Sequence, residues 1–233
     1  MVNLMTENLS IVRLIVNPKM GRLASMQETA RKAGRPAVPI ARTELLARAR
    51  REFARHGYRA TSLSRIAEAT GLRKASLFHH FRSKEELYLE MMGQVLEELM
   101  GLVERARLDE GGFAERLDRL GATVVEHLAA HPNAARLLLL ELAEQGPFLQ
   151  GPGRQQAVAG LQLTSDFLRA GMDAGVFRRQ DPGQLALSII GLHLLYFAGP
   201  ELVGRMLEGD ALSPTLVARR RDELIQQVRG LCL

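Results

Sequence analysis

Apolar residues recur along the chain at the three-to-four-residue spacing of helices, and no stretch reads convincingly as a strand. Leu45, Ala49 and Phe53 predict a helix over 41–57, with Gly57 suited to a left-handed stop. A second helix is predicted over 62–69, capped by Thr61 or Ser62, with Leu63, Ile66 and Ala67 facing inward. Gly71 makes the turn into a third, over 73–79. Ser83 followed by Glu86 is a capping box. It opens a long helix over 83–107, whose apolar positions include Leu87, Met91, Val95, Leu99 and Leu102. Further helices are predicted over 113–130, 133–145 and 154–174. Asp181-Pro182 and Ser213-Pro214 pair an N-cap with proline at the first helical position, and open two more, the last over 214–230. The Gly- and Pro-rich stretch 146–153 reads as a loop. Residues 1–39 have no sustained periodicity and read as a loose arm.

Composition adds limits. The chain has 233 residues, of which 46% are hydrophobic and 24% charged, an ordinary globular balance. Its longest nearly uncharged apolar stretch, Leu185 to Pro200, falls short of the about 20 residues that a bilayer span needs. Segment 9–16 carries Arg13 and lacks a signal-peptide layout. Membrane and secreted classes are therefore excluded, and the cytoplasm is expected. The single cysteine, Cys232, allows neither an internal disulfide nor a cysteine-based zinc site. Charge is unevenly spread. Residues 1–90 hold 17 Lys+Arg against 8 Asp+Glu, whereas 91–233 hold 14 against 18. A polyanion partner is implied for the first part only.

Residues 41–90 have the layout of a helix-turn-helix: three short helices, a glycine turn and a basic surface. Leu77 and Phe81, four apart, fix the inner face of the third helix to the other two. Its outer face then presents Arg73, Lys74, Ser76, His79 and His80. A helix fits the major groove, where base edges are distinguishable. Thr61, Ser62 and Lys84 stand at helix starts, where hydroxyls, free N–H groups and an ammonium can hold phosphate.

The run GYRATSLSRIAEATGLRKASLFHHFRSKEEL, residues 57–87, closely resembles the DNA-binding domain of TetR/AcrR-type transcriptional repressors. Beyond it the likeness is architectural: a long linking helix, then a helical domain. The resemblance implies an all-α fold with a helix-turn-helix domain at 40–86 and an effector-binding and dimerisation domain at 87–233. It implies a homodimer on a palindromic operator, released when a small molecule enters the C-terminal domain. It places Lys74, Ala75 and Ser76 at base-reading positions, and Tyr58, Thr61, Phe78, His80 and Lys84 at backbone-contact positions. Where the family commonly has tyrosine this chain has Phe78, which has no hydroxyl to give a phosphate. His79 stands where an aromatic is common, and is open to hydrogen bonding with a base edge.

Arg31, Lys32 and Arg35, in RKAGRP, resemble an arm that enters an A·T-rich minor groove; a solvated linker is the alternative. Residues 1–25 lack such a pattern, and Met20 or Met26 is an alternative start. The segment after Asp181 is apolar nearly all round, so it must bury two faces. One face suits its own domain and the other a second copy. Leu185, Ile189, Leu192 and Leu195, with Leu216, Leu224 and Val228 of the last helix, are the expected interface, formed by resemblance as a four-helix dimer contact. A fully internal helix in a monomer is the alternative.

An effector pocket is expected among Met91, Met92, Val95, Val124, His127, Leu138, Leu142, Phe167, Met172 and His193. Its methionine-rich, aromatic-poor lining suits an apolar or amphipathic ligand. Glu141 and Thr164 are further polar groups available for orienting it. His127 and His131 have metal-pair spacing but no third ligand, and no metal or other cofactor is expected. No nucleotide-binding, hydrolase or metalloprotease motif is present, so an enzyme is not expected. An activator or effector-independent regulator of the same fold, or a small-molecule-binding protein with an incidental helix-turn-helix, stays open on sequence.

Overall fold

The computed structural model describes residues 42–71 and 74–233. The described residues form eleven helices and no strand: α1 (Arg42–Ala60), α2 (Leu63–Thr70), α3 (Lys74–His80), α4 (Lys84–Leu108), α5 (Phe113–Ala130), α6 (Pro132–Glu144), α7 (Pro147–Gln150), α8 (Gly153–Asp173), α9 (Pro182–Ala198), α10 (Pro200–Met206) and α11 (Pro214–Cys232). The expected all-α class holds. The arm residues Arg31, Lys32 and Arg35, and Arg73 before α3, lie outside the described residues.

Local chemistry explains four of the helix starts. Ser62, Ser83, Asp181 and Ser213 each accept a backbone N–H of the first turn, at 3.2, 3.0, 2.7 and 3.4 Å. Glu86 reaches back from the first turn of α4 to accept the Arg82 N–H at 2.7 Å. Gly57 breaks α1 with φ 74° and ψ 170°, a backbone setting that side-chain-bearing residues avoid. Left-handed Gly71 ends α2.

Two helices escaped the periodicity. The expected loop 146–153 contains the single turn α7, because Pro147 starts it and the Glu141 carboxylate accepts the Leu149 N–H at 2.8 Å. α10 follows α9 across Gly199 at an angle of 86°. No single described helix is long and apolar enough to cross a membrane.

One apolar cluster runs from Leu45 in α1 to Cys232 in α11. The head formed by α1–α3 is therefore continuous with the rest of the core. α1 packs on α4 and α6, α4 on α5 and α8, α9 on α6 and α8, and α11 on α5. The 25 residues of α4 make it about 37 Å long. It touches the head at one end and the C-terminal helices along the rest.

Candidate nucleic-acid interface

The inner face of α3 is as the four-residue spacing requires. Leu77 and Phe81 are buried, with Leu45, Phe53, Ile66 and Ala67 in the same cluster. Burying the leucine, isoleucine and phenylalanine side chains among these stabilises the head by about 1.5–3 kcal/mol each. The opposite ridge of α3 is free. Lys74, Ala75, Phe78 and His79 are exposed, Arg82 just beyond is exposed, and Ser76 and His80 are half-buried.

Arg42 braces this short helix from the side. Its Nη1 donates to the His80 carbonyl at 2.6 Å, its Nε to Glu90 at 2.8 Å, and its guanidinium lies 4.1 Å from the centre of the Phe81 ring. The Glu90 bond raises the Arg42 pKa above its ordinary value, so the brace stays charged. One side chain thus ties α1, the end of α3 and α4 together.

The residues expected on the DNA backbone divide into groups. Ser62 is exposed as the α2 cap, with its hydroxyl accepting from Arg65 N–H. Thr61 is buried, and its hydroxyl donates to the Gly57 carbonyl at 2.7 Å. Its side chain therefore closes the α1–α2 turn and faces inward. Lys84 donates to the Tyr58 carbonyl at 2.9 Å and sits 4.1 Å above the Tyr58 ring. That latch holds the ammonium near the α1–α2 turn while leaving two of its three N–H groups. Tyr58 in turn packs on Phe53 and Tyr88. Burial, then Glu85 and Glu141, raise the Tyr58 phenol pKa, so it stays protonated. Sequence reasoning missed Arg42, whose role shows only in three-dimensional contacts, and Arg82, whose exposure beside α3 was legible as a basic residue following a buried Phe.

In the C-terminal helices the expected pocket residues are not one lining. Met91, Met92, Val95, Phe167 and Met172 are buried in the core, Val124 and Leu138 are half-buried, and Leu142 is exposed on the outer surface of α6. Leu142 therefore faces away from the interior, because the buried side of α6 is taken by Ala134, Ala135, Leu137 and Glu141. His127 is half-buried, 3.5 Å from Glu98, with its ring 4.8 Å from that of His131 and tilted 50° to it. His193 is buried, its Nδ1 2.8 Å from the Ile189 carbonyl. Two depressions stand out on the surface. One of about 560 Å³ lies between α10 and residues 209–212, and one of about 280 Å³ between α8 and the start of α9. None of the ten expected residues lines either.

The expected dimer set is also divided. Leu185, Ile189, Leu224 and Val228 are buried within the protomer, because α9 packs on α6 and α8 and α11 packs on α5. Leu192 and Leu216 are half-buried, and Leu195 is exposed. Among the large apolar residues left outward are Leu187 and Leu195, eight apart on α9, and Leu202 and Met206, four apart on α10.

Comparison with known proteins gives this arrangement a context. Residues 45–91 match "Bacterial regulatory proteins, tetR family", and residues 114–228 match "Tetracyclin repressor-like, C-terminal domain". The HTH-type transcriptional repressor KstR2 of Mycobacterium tuberculosis is 32% identical over 145 residues, covering 59% of this chain and 69% of that protein. The HTH-type transcriptional repressor AcnR of Corynebacterium glutamicum is 44% identical over 73 residues, 28% of this chain and 38% of that protein. Matches to the AcnR repressors of two Corynebacterium species and to KstR2 of Rhodococcus jostii thus span 27–38% of those proteins' lengths. Among solved structures, AibR in complex with isovaleryl coenzyme A and operator DNA has the same fold, with a TM-score of 0.63 at 19% identity, over 80% of this chain and 97% of that one.

Proposed function

The chain belongs to the TetR family of bacterial regulatory proteins, and from that premise we propose that it is a dimeric transcriptional repressor of the cytoplasm. The observation that carries the reading is the outward ridge of α3, whose Lys74, Ala75, Phe78 and His79 are exposed while Leu77 and Phe81 anchor the helix from behind. Such a helix offers donors to guanine and adenine edges and apolar contacts to thymine. Lys74 and His79, with Ser76 and Arg73, are the hydrogen-bonding readers. Ser62, Lys84 and the backbone at Thr61 hold phosphate and position the head without selecting sequence. The basic balance of residues 1–90 supports this division, since phosphate neutralisation supplies most of the non-specific affinity.

A palindromic operator needs two heads spaced by about 34 Å or a multiple. The exposed Leu187, Leu195, Leu202 and Met206 give a second copy an apolar surface to cover. The effector is an apolar or amphipathic small molecule entering among α4–α9. AibR, seen with isovaleryl coenzyme A, supports including short acyl thioesters among the ligands tried. Effector binding displaces α4 relative to α1, and operator and effector oppose each other by one coupling energy, on the order of 1–3 kcal/mol.

The test is selection of bound fragments from a genomic DNA pool by the purified protein. Enrichment of a palindrome supports the reading. An unenriched pool, from protein freed of ligand by unfolding and refolding, overturns it.

A further inference from the structure

We propose that Phe78 is a base-reading residue whose ring packs on the C5-methyl group of a thymine in the operator. The assignment rests on the DNA-binding reading above, and moves Phe78 from the phosphate backbone to a base edge. Its ring is 46% exposed on a helix whose neighbouring Leu77 is fully buried, so it is not a core side chain. Leu77 and Phe81 already fill the seat behind α3. An exposed phenylalanine gains nothing from water, and it gains when apolar surface covers it.

The surroundings specify what that surface is. Ala75, three residues before, shares the same ridge and is exposed; Lys74 is exposed at the start of the helix, and Arg82 is exposed just beyond its end. Cations therefore flank a small apolar strip made of the Ala75 methyl and the Phe78 ring. A polyanion with an apolar group set back between its phosphates is the complement of that strip. In the major groove the thymine methyl is the apolar group among the base-edge signals; the other signals are donors and acceptors that a phenyl ring cannot use. Phe78 has no hydroxyl to bond a phosphate oxygen, so a backbone contact would leave its ring without a partner of matching chemistry.

Fluorescence anisotropy on the selected operator tests this. Each thymine of a half-site is replaced in turn by deoxyuridine, which deletes the methyl and leaves every hydrogen-bonding edge unchanged. The expected result is that one or two thymines per half-site are sensitive. Each lost methyl weakens binding about fourfold, the effect of one buried methylene-sized group, and about 15-fold when both half-sites are altered. Phe78→Ala then binds the thymine and deoxyuridine operators equally, and Phe78→Leu keeps part of the preference. The thermal midpoint of each variant, measured alongside, confirms that the head is folded. Tight binding of the parent operator with no sensitive thymine overturns the assignment alone, as does a methyl preference that survives in folded Phe78→Ala. No sequence preference by the parent protein overturns the DNA-reading function and this assignment with it.

Discussion

The buried carboxylate of Glu141 accepts the Tyr88 hydroxyl proton at 2.7 Å, while its second oxygen accepts the Leu149 N–H at 2.8 Å. This one side chain of α6 therefore holds the N-terminal part of the linking helix α4 and the start of α7. Burial first, and then the bond to Glu141, push the Tyr88 phenol far above its ordinary pKa, so the donor keeps its proton. A charge this deep is tolerable only with such donors. Glu141→Leu should leave one buried and one half-buried donor unpaired and lower stability by about 2–4 kcal/mol in urea unfolding. Gly146→Ala should also be costly, by about 1–3 kcal/mol, since its Cβ would overlap the Glu141 carboxylate. Wild-type stability in either variant would show that the carboxylate is not held as described.

A second tie joins the head to α4. Arg50 of α1 donates to both oxygens of Glu98, at 3.1 and 2.9 Å, with the Arg50 side chain 13% exposed and Glu98 37% exposed. The partial exposure of Glu98 limits the pair to about 1 kcal/mol. A double-mutant cycle with Arg50→Ala and Glu98→Ala should return that coupling in stability. A coupling within error of zero would mean that the pair transmits nothing between head and body.

Two histidines make stability depend on pH. Burial lowers the pKa of His127, and neighbouring His131, Arg50 and Arg105 lower it further against the opposing pull of Glu98. Burial likewise lowers His193, with Arg220 adding to it and the Ile189 and Gly121 carbonyls opposing. Both therefore sit below the ordinary 6.5 in the folded chain. As pH falls through that value the unfolded chain takes up protons first, so the native state loses stability. Their contribution is fully present above that value and declines as pH falls toward the lower, folded-state pKa values. The thermal midpoint should drop on acidification through this window, and His193→Asn should flatten the drop. An identical slope in the variant would remove His193 as a cause.

The exposed apolar face of α9 and α10 gives a prediction about assembly. Leu195 and Leu202 are 74% and 75% exposed, so charging them does not disturb the protomer core. Leu195→Glu together with Leu202→Glu should convert a dimer to a monomer in light scattering and abolish tight operator binding. A variant that stays dimeric would place the interface elsewhere.

Much of this was legible in the sequence where the signal is local. Leu77 and Phe81 sit four apart and face the core. Ser62, Ser83, Asp181 and Ser213 each mark a helix start through a side-chain bond within the same turn. What escaped depends on distant residues. α7 needs Glu141 from another helix to cap Leu149, and α10 is too short for a periodic pattern. The Leu224 and Val228 pair reads equally as dimer or core from spacing alone. It is core because α5 lies against α11. Met91, Met92 and Val95 are apolar in either a packed core or a cavity wall, and only the packing shows them fully buried. Lys84 reads as a free phosphate ligand until its bond to the Tyr58 carbonyl is seen.

Sequence reading by α3 is decided by fluorescence anisotropy of the ligand-free protein on its selected palindrome and on a scrambled duplex, across a salt series. Affinity for the palindrome should be at least about 10³ tighter than for the scrambled duplex, with log affinity falling linearly against log salt for both. Equal affinity for the two duplexes at every salt concentration would contradict it.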